Sequence, residues 1–287
     1  MRSENKATMK LRRRNIALTV AYDGTNYHGF QWQNPPRIAV QNVLEERLEK
    51  IFGDKIELAA AGRTDAGVHA FGQVVNFFTD GRIDVEKIPL AASTVLPSDI
   101  VVREAREVDK YFSALHSATS KIYFYRILRG AASNPFVNRF AWHIWRPLEI
   151  EPMREALSLL VGEHDFSSFK AASNVFRNPV RKILSAELEQ LGMRNEELGI
   201  NSQNHSSFLI PNSSLTFGGD VLTIKIHATG FLYHMARNIV AAVVEVGRQR
   251  WSVDKFKKIF EACDRSLVPA TAPPQGLCLQ KVFYGSF

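Results

Sequence analysis

Gly62-Arg63-Thr64-Asp65-Ala66-Gly67-Val68-His69-Ala70 sets one carboxylate between two glycines, beside an arginine and a threonine. Apolar runs lie on either side, Ile56 to Ala61 before it and Val74-Val75-Asn76-Phe77-Phe78 after it, which predicts strand, loop, strand. Gly62 and Gly67 open backbone angles closed to other residues and let a ligand approach closely. Taken alone, the stretch reads as a tight connection whose Asp65 hydrogen-bonds its own turn. Polar groups held between buried strands nevertheless need partners or a task.

Before this stretch, residues 1–14 form a basic arm, followed by a predicted strand from Ile16 to Tyr22 and a turn at Asp23-Gly24-Thr25-Asn26. Tyr27-His28-Gly29-Phe30-Gln31-Trp32-Gln33 is dense in rings and amides, which suit either base recognition or anchoring of a loop to the core. Val40, Leu44, Leu48, Ile51 and Phe52 then recur at helical spacing, with Gly53 as the stop. After the central loop, Asp84 to Val95 reads as helix. Ile100 to Val108 reads as a strand carrying Arg103 and Arg106 on one face. Residues 15–108 thus form an α+β subdomain that carries Asp65.

Residues 109–287 repeat the rhythm and form a second α+β subdomain. Lys121 to Leu128 alternates so that Tyr123 and Tyr125 share a face. Further strands are expected at Ala141–Trp145, Val180–Leu191, Val221–His227 and Gly276–Tyr284. A helix runs from Glu151 to Val161, His164 to Phe169 reads as a capped turn, and Asp254 to Cys263 as an amphipathic helix. Residues 194–219, rich in Asn, Ser and Gly, exceed any ordinary hairpin loop and read as a surface insertion. Phe231 to Val246 is the second informative element. Its C-terminal half is apolar all round, while His234, Arg237 and Asn238 share an arc of its N-terminal half. A buried guanidinium is costly unless a carboxylate pairs with it. Glu245 lies eight residues along the helix, roughly 12 Å away. Arg237 therefore needs an acid from elsewhere, and Asp65 is the natural candidate. Two similar subdomains of mainly antiparallel sheet, flanked by helices, would meet at a central basic cleft with Asp65 on one side and Arg237 on the other.

The chain has 287 residues, 45% hydrophobic and 23% charged, with a formal charge of +7, which suits a globular protein with an anionic partner. Its two cysteines, Cys263 and Cys278, lack metal-ligand spacing and fit a reducing, cytoplasmic setting. The N-terminal charges precede no apolar leader, and no apolar run approaches the roughly 20 residues of a membrane span. Phosphate-loop, dinucleotide, nucleophile-elbow and zinc-deaminase motifs are missing from the sequence, so no metal and no small-molecule cofactor is expected. What remains is chemistry by Asp, Arg, Tyr and His, such as attack by a carboxylate at a glycosidic carbon.

The 62–70 stretch, with Gly72-Gln73-Val74 after it, resembles the signature of the tRNA pseudouridine synthase A family. Tyr22-Asp23-Gly24-Thr25 with Tyr27, Gly29, Phe30-Gln31 and Gln33 is similar to that family's N-terminal stretch, and Ser120-Lys121-Ile122-Tyr123-Phe124-Tyr125 to its tyrosine motif. Gly162 to Phe169, Arg177 to Arg181, Gly230 to Asn238, Pro269 to Ala272 and Gly276-Leu277 also fit, in order, from about Ile16 to Tyr284. The resemblance implies the pseudouridine-synthase fold and an isomerase that converts uridine to pseudouridine at nucleotides 38–40 of the tRNA anticodon stem-loop. It implies Asp65 as the catalytic aspartate, Tyr123 as the ring that stacks on the target base, and Arg237 as the partner of the aspartate. It also implies a homodimer binding tRNA, with no cofactor. Arg63 is a candidate RNA contact, and His69 a structural hydrogen bond. Which of the three uridines is modified, and which atom Asp65 attacks, stay open.

Two other classes stand beside this reading. An RNA-binding module on the same scaffold would have no need of Asp65. A glycosidase-like hydrolase would want a second carboxylate at the reacting carbon. Lys121-Ile122 carries one charge fewer than the family often has before its tyrosine, which bears on RNA affinity. Candidate phosphate contacts are Arg12, Arg13, Arg14, Arg103, Arg106, Lys110, Arg126, Arg129, Arg177 and Arg181.

Overall fold

A computed structural model describes residues 14–171, 178–191 and 220–285; the arm before Arg14, Arg177 and the 194–219 insertion lie outside the described residues. The first part of the chain gives β1 (Arg14–Tyr22), α1 (Val40–Phe52), β2 (Ala59–Ala60), β3 (His69–Thr79), α2 (Ile88–Ser93) and β4 (Ile100–Val108). The second gives β5 (Ala118–Arg129), α3 (Pro135–Asn138), β6 (Trp142–Ile144), α4 (Ile150–Ser158), β7 (Gly162–Asp165), β8 (Val180–Leu191), β9 (Asp220–Ala228), α5 (Met235–Gly247), α6 (Val253–Glu261) and β10 (Leu277–Tyr284). The protein is a mixed α+β structure, the class expected from its sequence.

The ten strands among the described residues form one sheet in the order β4-β1-β3-β10-β5-β9-β8-β7, with β2 paired to β3 and β6 to β5. Pairing is antiparallel except at β3–β10 and β5–β6. The last strand in sequence therefore lies in the middle and joins the strands before residue 109 to those after it. Ile16, Leu18 and Val20 of β1 are fully buried, as period-2 alternation requires of a face turned to the core. They belong to one apolar cluster with Val40, Leu44 and Leu48 of α1 and with Ile239 to Val244 of α5, so both parts of the chain share a core. Among the described residues, no helix is long and apolar enough to cross a membrane.

Several elements differ from their sequence expectation. The strand after the Asp65 loop begins at His69 rather than Val74, because His69 and Ala70 pair with Cys278 and Leu279 of β10. Ile56 to Ala61 contributes only Ala59 and Ala60 to the ladder. Asp84 to Val95 divides into a 3-10 turn and the short α2. His164 and Asp165 belong to β7, paired with Arg181 and Val180, and only the following turn is capped, by Asp165 Oδ1 accepting from Ser167 N at 2.7 Å. Arg103 and Arg106 are three apart, so strict alternation would put them on opposite faces. A register shift between Val102 and Glu104 adds one residue at Arg103, and both arginines are exposed.

The connection between the two parts of the chain is tied to the sheet by a buried amide pair. Asn76 Nδ2 donates to Asn15 Oδ1 at 2.9 Å, and Asn76 Oδ1 accepts from Ala114 N at 2.8 Å. Asn15 Nδ2 in turn donates to the carbonyls of Asp109 and Phe112, at 2.9 and 3.0 Å. Asn76→Ala strands these buried groups. It should cost about 1–3 kcal/mol in urea unfolding and speed proteolytic nicking of the 109–117 connection.

Candidate active site

Asp65 sits in a loop gripped from both sides by the 22–30 segment. Phe30 N donates to Thr64 O at 3.0 Å and Gly67 N to Tyr27 O at 3.3 Å, while Tyr22 Oη and Thr64 Oγ1 lie 2.7 Å apart. Gly24 packs so closely that a Cβ there would fall 2.0 Å from Val68 O. Gly67, at φ 77°, takes the left-handed conformation expected of it, whereas Gly62 does not. At Gly62 the missing side chain instead admits Lys121, whose Nζ would lie 3.3 Å from an added Cβ and donates to Ala61 O at 2.6 Å.

Of the two uses weighed for the aromatic stretch, anchoring is seen in part of it, while His28 and Gln31 are exposed. Tyr27 and Phe30 are buried, Tyr27 Oη donates to Asp99 Oδ1 at 2.8 Å, and Trp32 N and Gln33 N donate to Gln41 and Asn42 of α1, each at 3.0 Å. His69 Nδ1 accepts from Gly24 N at 3.1 Å, the structural bond expected of it. Burial lowers its pKa, opposed mainly by the Asp23 charge.

Across from the loop stands Arg237, in the first turn of α5. Its Nη1 donates to Asp65 Oδ2 at 2.8 Å and its Nε to Ala272 O at 2.7 Å. Both side chains are mostly buried, at 12% exposure for Arg237 and 16% for Asp65. The extended Thr271–Pro274 segment supports this pair. Tyr125 Oη donates to Pro273 O at 2.8 Å, Pro274 packs on Gly67, and Thr271 Oγ1 donates to Asn238 Oδ1 at 2.8 Å. Asp65 Oδ1 accepts no hydrogen bond among the described residues, so one carboxylate oxygen is held and the other is left open.

Tyr123, in mid β5, is buried and meets Phe231 edge-on at 4.8 Å between ring centroids. Its pKa is raised by burial, then by Tyr22 and by the Asp65 charge, so the ring is a neutral phenol near that carboxylate. Among the described residues its hydroxyl makes no hydrogen bond. Arg63 is exposed beside Asp65 and makes no ion pair or hydrogen bond among the described residues. Asp65, Arg237 and Tyr123 thus come together, with Arg63 at the solvent edge.

The sequence reading missed two features. Helix α5 starts at Met235, so Phe231 to His234 are not helical, and His234 holds φ 63° as the residue before the helix. That turn places His234 Nε2 3.4 Å from Asp65 Oδ2. The second feature is Lys121, assigned to RNA affinity by its charge yet directed into the Asp65 loop. Arg14 and Arg129 are likewise engaged within the protein, with Glu107 and Asp220; Arg103, which donates to Phe71 O, and Arg106, 3.4 Å from Glu104, are exposed, as is Lys110. Among the described residues no group of three His, Cys, Asp or Glu side chains converges as metal ligands would.

The model of a family described as tRNA pseudouridine synthase matches residues 18–115 and 156–285. A tRNA pseudouridine synthase A from Thermoanaerobacter sp. (strain X514) is 40% identical over 271 residues, 94% of this chain and 100% of that one. The proteins of that name from Caldicellulosiruptor saccharolyticus and Thermotoga maritima are 38% and 37% identical, each over 94% of this chain and over 100% and 99% of their own. A crystal structure of a Cbf5-Nop10-Gar1 complex aligns at a TM-score of 0.30 and 10% identity, over 83% of this chain and 56% of that one, too distant to bear on the fold.

Burial lowers the pKa of Lys121, so in the folded state it loses its proton below the usual lysine range. Between that folded value and about 10.4 the unfolded chain binds more protons, so Lys121 makes stability rise with pH. Lys121→Met removes this contribution. The stability of the wild type relative to the variant, measured by urea unfolding from pH 7 to 10, should therefore increase with pH.

Proposed function

The chain belongs to the tRNA pseudouridine synthase family, and we propose that it isomerises uridine to pseudouridine at nucleotides 38–40 of the tRNA anticodon stem-loop, with Asp65 as nucleophile. The observation that carries this reading is the Asp65–Arg237 pair at 2.8 Å beside the buried, neutral Tyr123. One carboxylate oxygen is tied to a guanidinium and the other is free to meet a substrate.

The reaction breaks the N1–C1′ bond of uridine, joins C5 to C1′, and moves the C5 proton off as N1 gains one, with no net redox change. Duplex RNA hides the target, so the nucleotide must leave its stack at a cost of about a few kcal/mol. Tyr123 receives the flipped base on its ring. Arg237 holds Asp65 in place, and Arg63, exposed at the edge, contacts the RNA. A basic cleft between the two subdomains, 15–108 and 109–287, takes the stem-loop. The exposure of Arg63, Arg103, Arg106 and Lys110 supports that path. The resemblance further supports a cytoplasmic homodimer.

Asp65→Asn should lose pseudouridine formation and tritium release from [5-³H]uridine tRNA by at least about 10³-fold while still binding tRNA. Near-normal turnover in that variant would refute the role given to Asp65. A wild type that binds tRNA and leaves it unmodified would refute the enzyme reading in favour of a binding module. Binding itself should weaken steeply with salt, each neutralised phosphate adding roughly 0.7–0.9 to the log–log slope. A flat salt response would remove the phosphate-lined path.

A further inference from the structure

We propose, on the functional reading above, that His234 is a second positioning residue for Asp65, holding Oδ2 together with Arg237 so that Oδ1 alone faces the substrate. Nε2 of His234 lies 3.4 Å from the same oxygen that accepts from Arg237 Nη1 at 2.8 Å. The imidazole approach is longer than a formed hydrogen bond. Contacts of this kind close in the substrate complex.

The backbone carries the second part of the case. His234 sits at φ 63°, ψ 0°, a left-handed conformation that costs a non-glycine residue free energy. Glycine would meet that backbone requirement without strain. The turn is also built in from both sides, since Met235 N donates to Leu232 O at 3.1 Å and Asn238 N to His234 O at 2.9 Å. The ring itself lies against Tyr233, 4.0 Å between centroids. The strained backbone is what brings the imidazole to the carboxylate, rather than leaving it further round the helix.

The charged and titratable groups facing the ring are Asp65 from the loop, Tyr233 and Arg237 from its own segment, and Arg265 from the 265–267 turn. Burial lowers the imidazole pKa, Asp65 opposes this, and Arg237 and Arg265 reinforce it, so the ring is neutral at pH 7. A neutral ring protonated on Nε2 can donate to Oδ2 without adding a second cation. Protonation on the acid side would place the carboxylate between two cations and weaken it as a nucleophile, so the wild-type rate acquires an acid limb on the acid side of the ordinary imidazole range.

His234→Gly relieves the backbone and deletes the donor. It should melt no lower than the wild type and bind tRNA as tightly, yet lower the single-turnover rate about 10²-fold. Added imidazole should restore part of that rate, as should His234→Asn, because Asn tolerates the left-handed region and keeps an N–H donor. The acid limb should vanish in His234→Gly. A rate within twofold of wild type would overturn the proposal. So would a loss that imidazole leaves unrepaired and that tracks tRNA affinity. A separate measurement does not depend on turnover: by NMR, the His234 ring in Asp65→Asn should titrate at lower pH than in the wild type, because the Asp65 charge that favours its protonated form is gone. An unchanged titration would deny the contact itself, whereas an inactive wild type with a shifted titration would count only against the assigned reaction.

Discussion

The Arg237–Asp65 ion pair joins side chains 172 residues apart in the chain. Either group buried alone would carry a desolvation penalty with nothing to offset it. The fold must therefore present both together, and much of its architecture can be traced to that need. β10 enters the middle of the sheet and joins the strands on either side of residue 109. The segment before it, Thr271 to Pro274, supplies the Ala272 carbonyl that accepts from Nε of the guanidinium. The apolar half of α5, sunk in the common core, holds the helix so that its first turn faces the loop.

Around this pair the site distributes its polar groups unevenly, and the unevenness is chemically useful. Arg237 and His234 both approach Oδ2, while Oδ1 is left without a partner among the described residues. Lys121, a cation that could have competed for the carboxylate, is instead spent on the Ala61 carbonyl behind the loop. Tyr123 is kept neutral by burial and offers an apolar ring rather than another charge. One oxygen is thus approached by cation and imidazole, and the other is left without a hydrogen-bond partner among the described residues.

Periodicity made most of the fold legible. Val40, Leu44 and Leu48 at helical spacing, and Ile16, Leu18 and Val20 at strand spacing, are all fully buried as expected. It failed where a neighbour distant in sequence set the backbone. The extent of β3 depended on β10 pairing with His69 and Ala70, and the shared exposure of Arg103 and Arg106 on a one-residue register shift against β1. Gly62 looked like a turn glycine, yet its lack of a side chain serves Lys121. Helical spacing through Phe231 to Val246 concealed the left-handed residue at His234, because a helical wheel assumes the very backbone that is broken there.

By itself the sequence determined which residues are available for chemistry, which runs are apolar, and which family the chain belongs to. Those properties are local, carried by side-chain type and spacing along one segment. Only the tertiary structure decided which oxygen of Asp65 is held, that Lys121 faces inward, and that His234 stands beside the carboxylate. Each of those depends on the register of strands or the conformation of a turn whose partners lie up to 172 residues away. The free energy of such contacts depends on distance and burial, and neither is written in the spacing of residues along the chain.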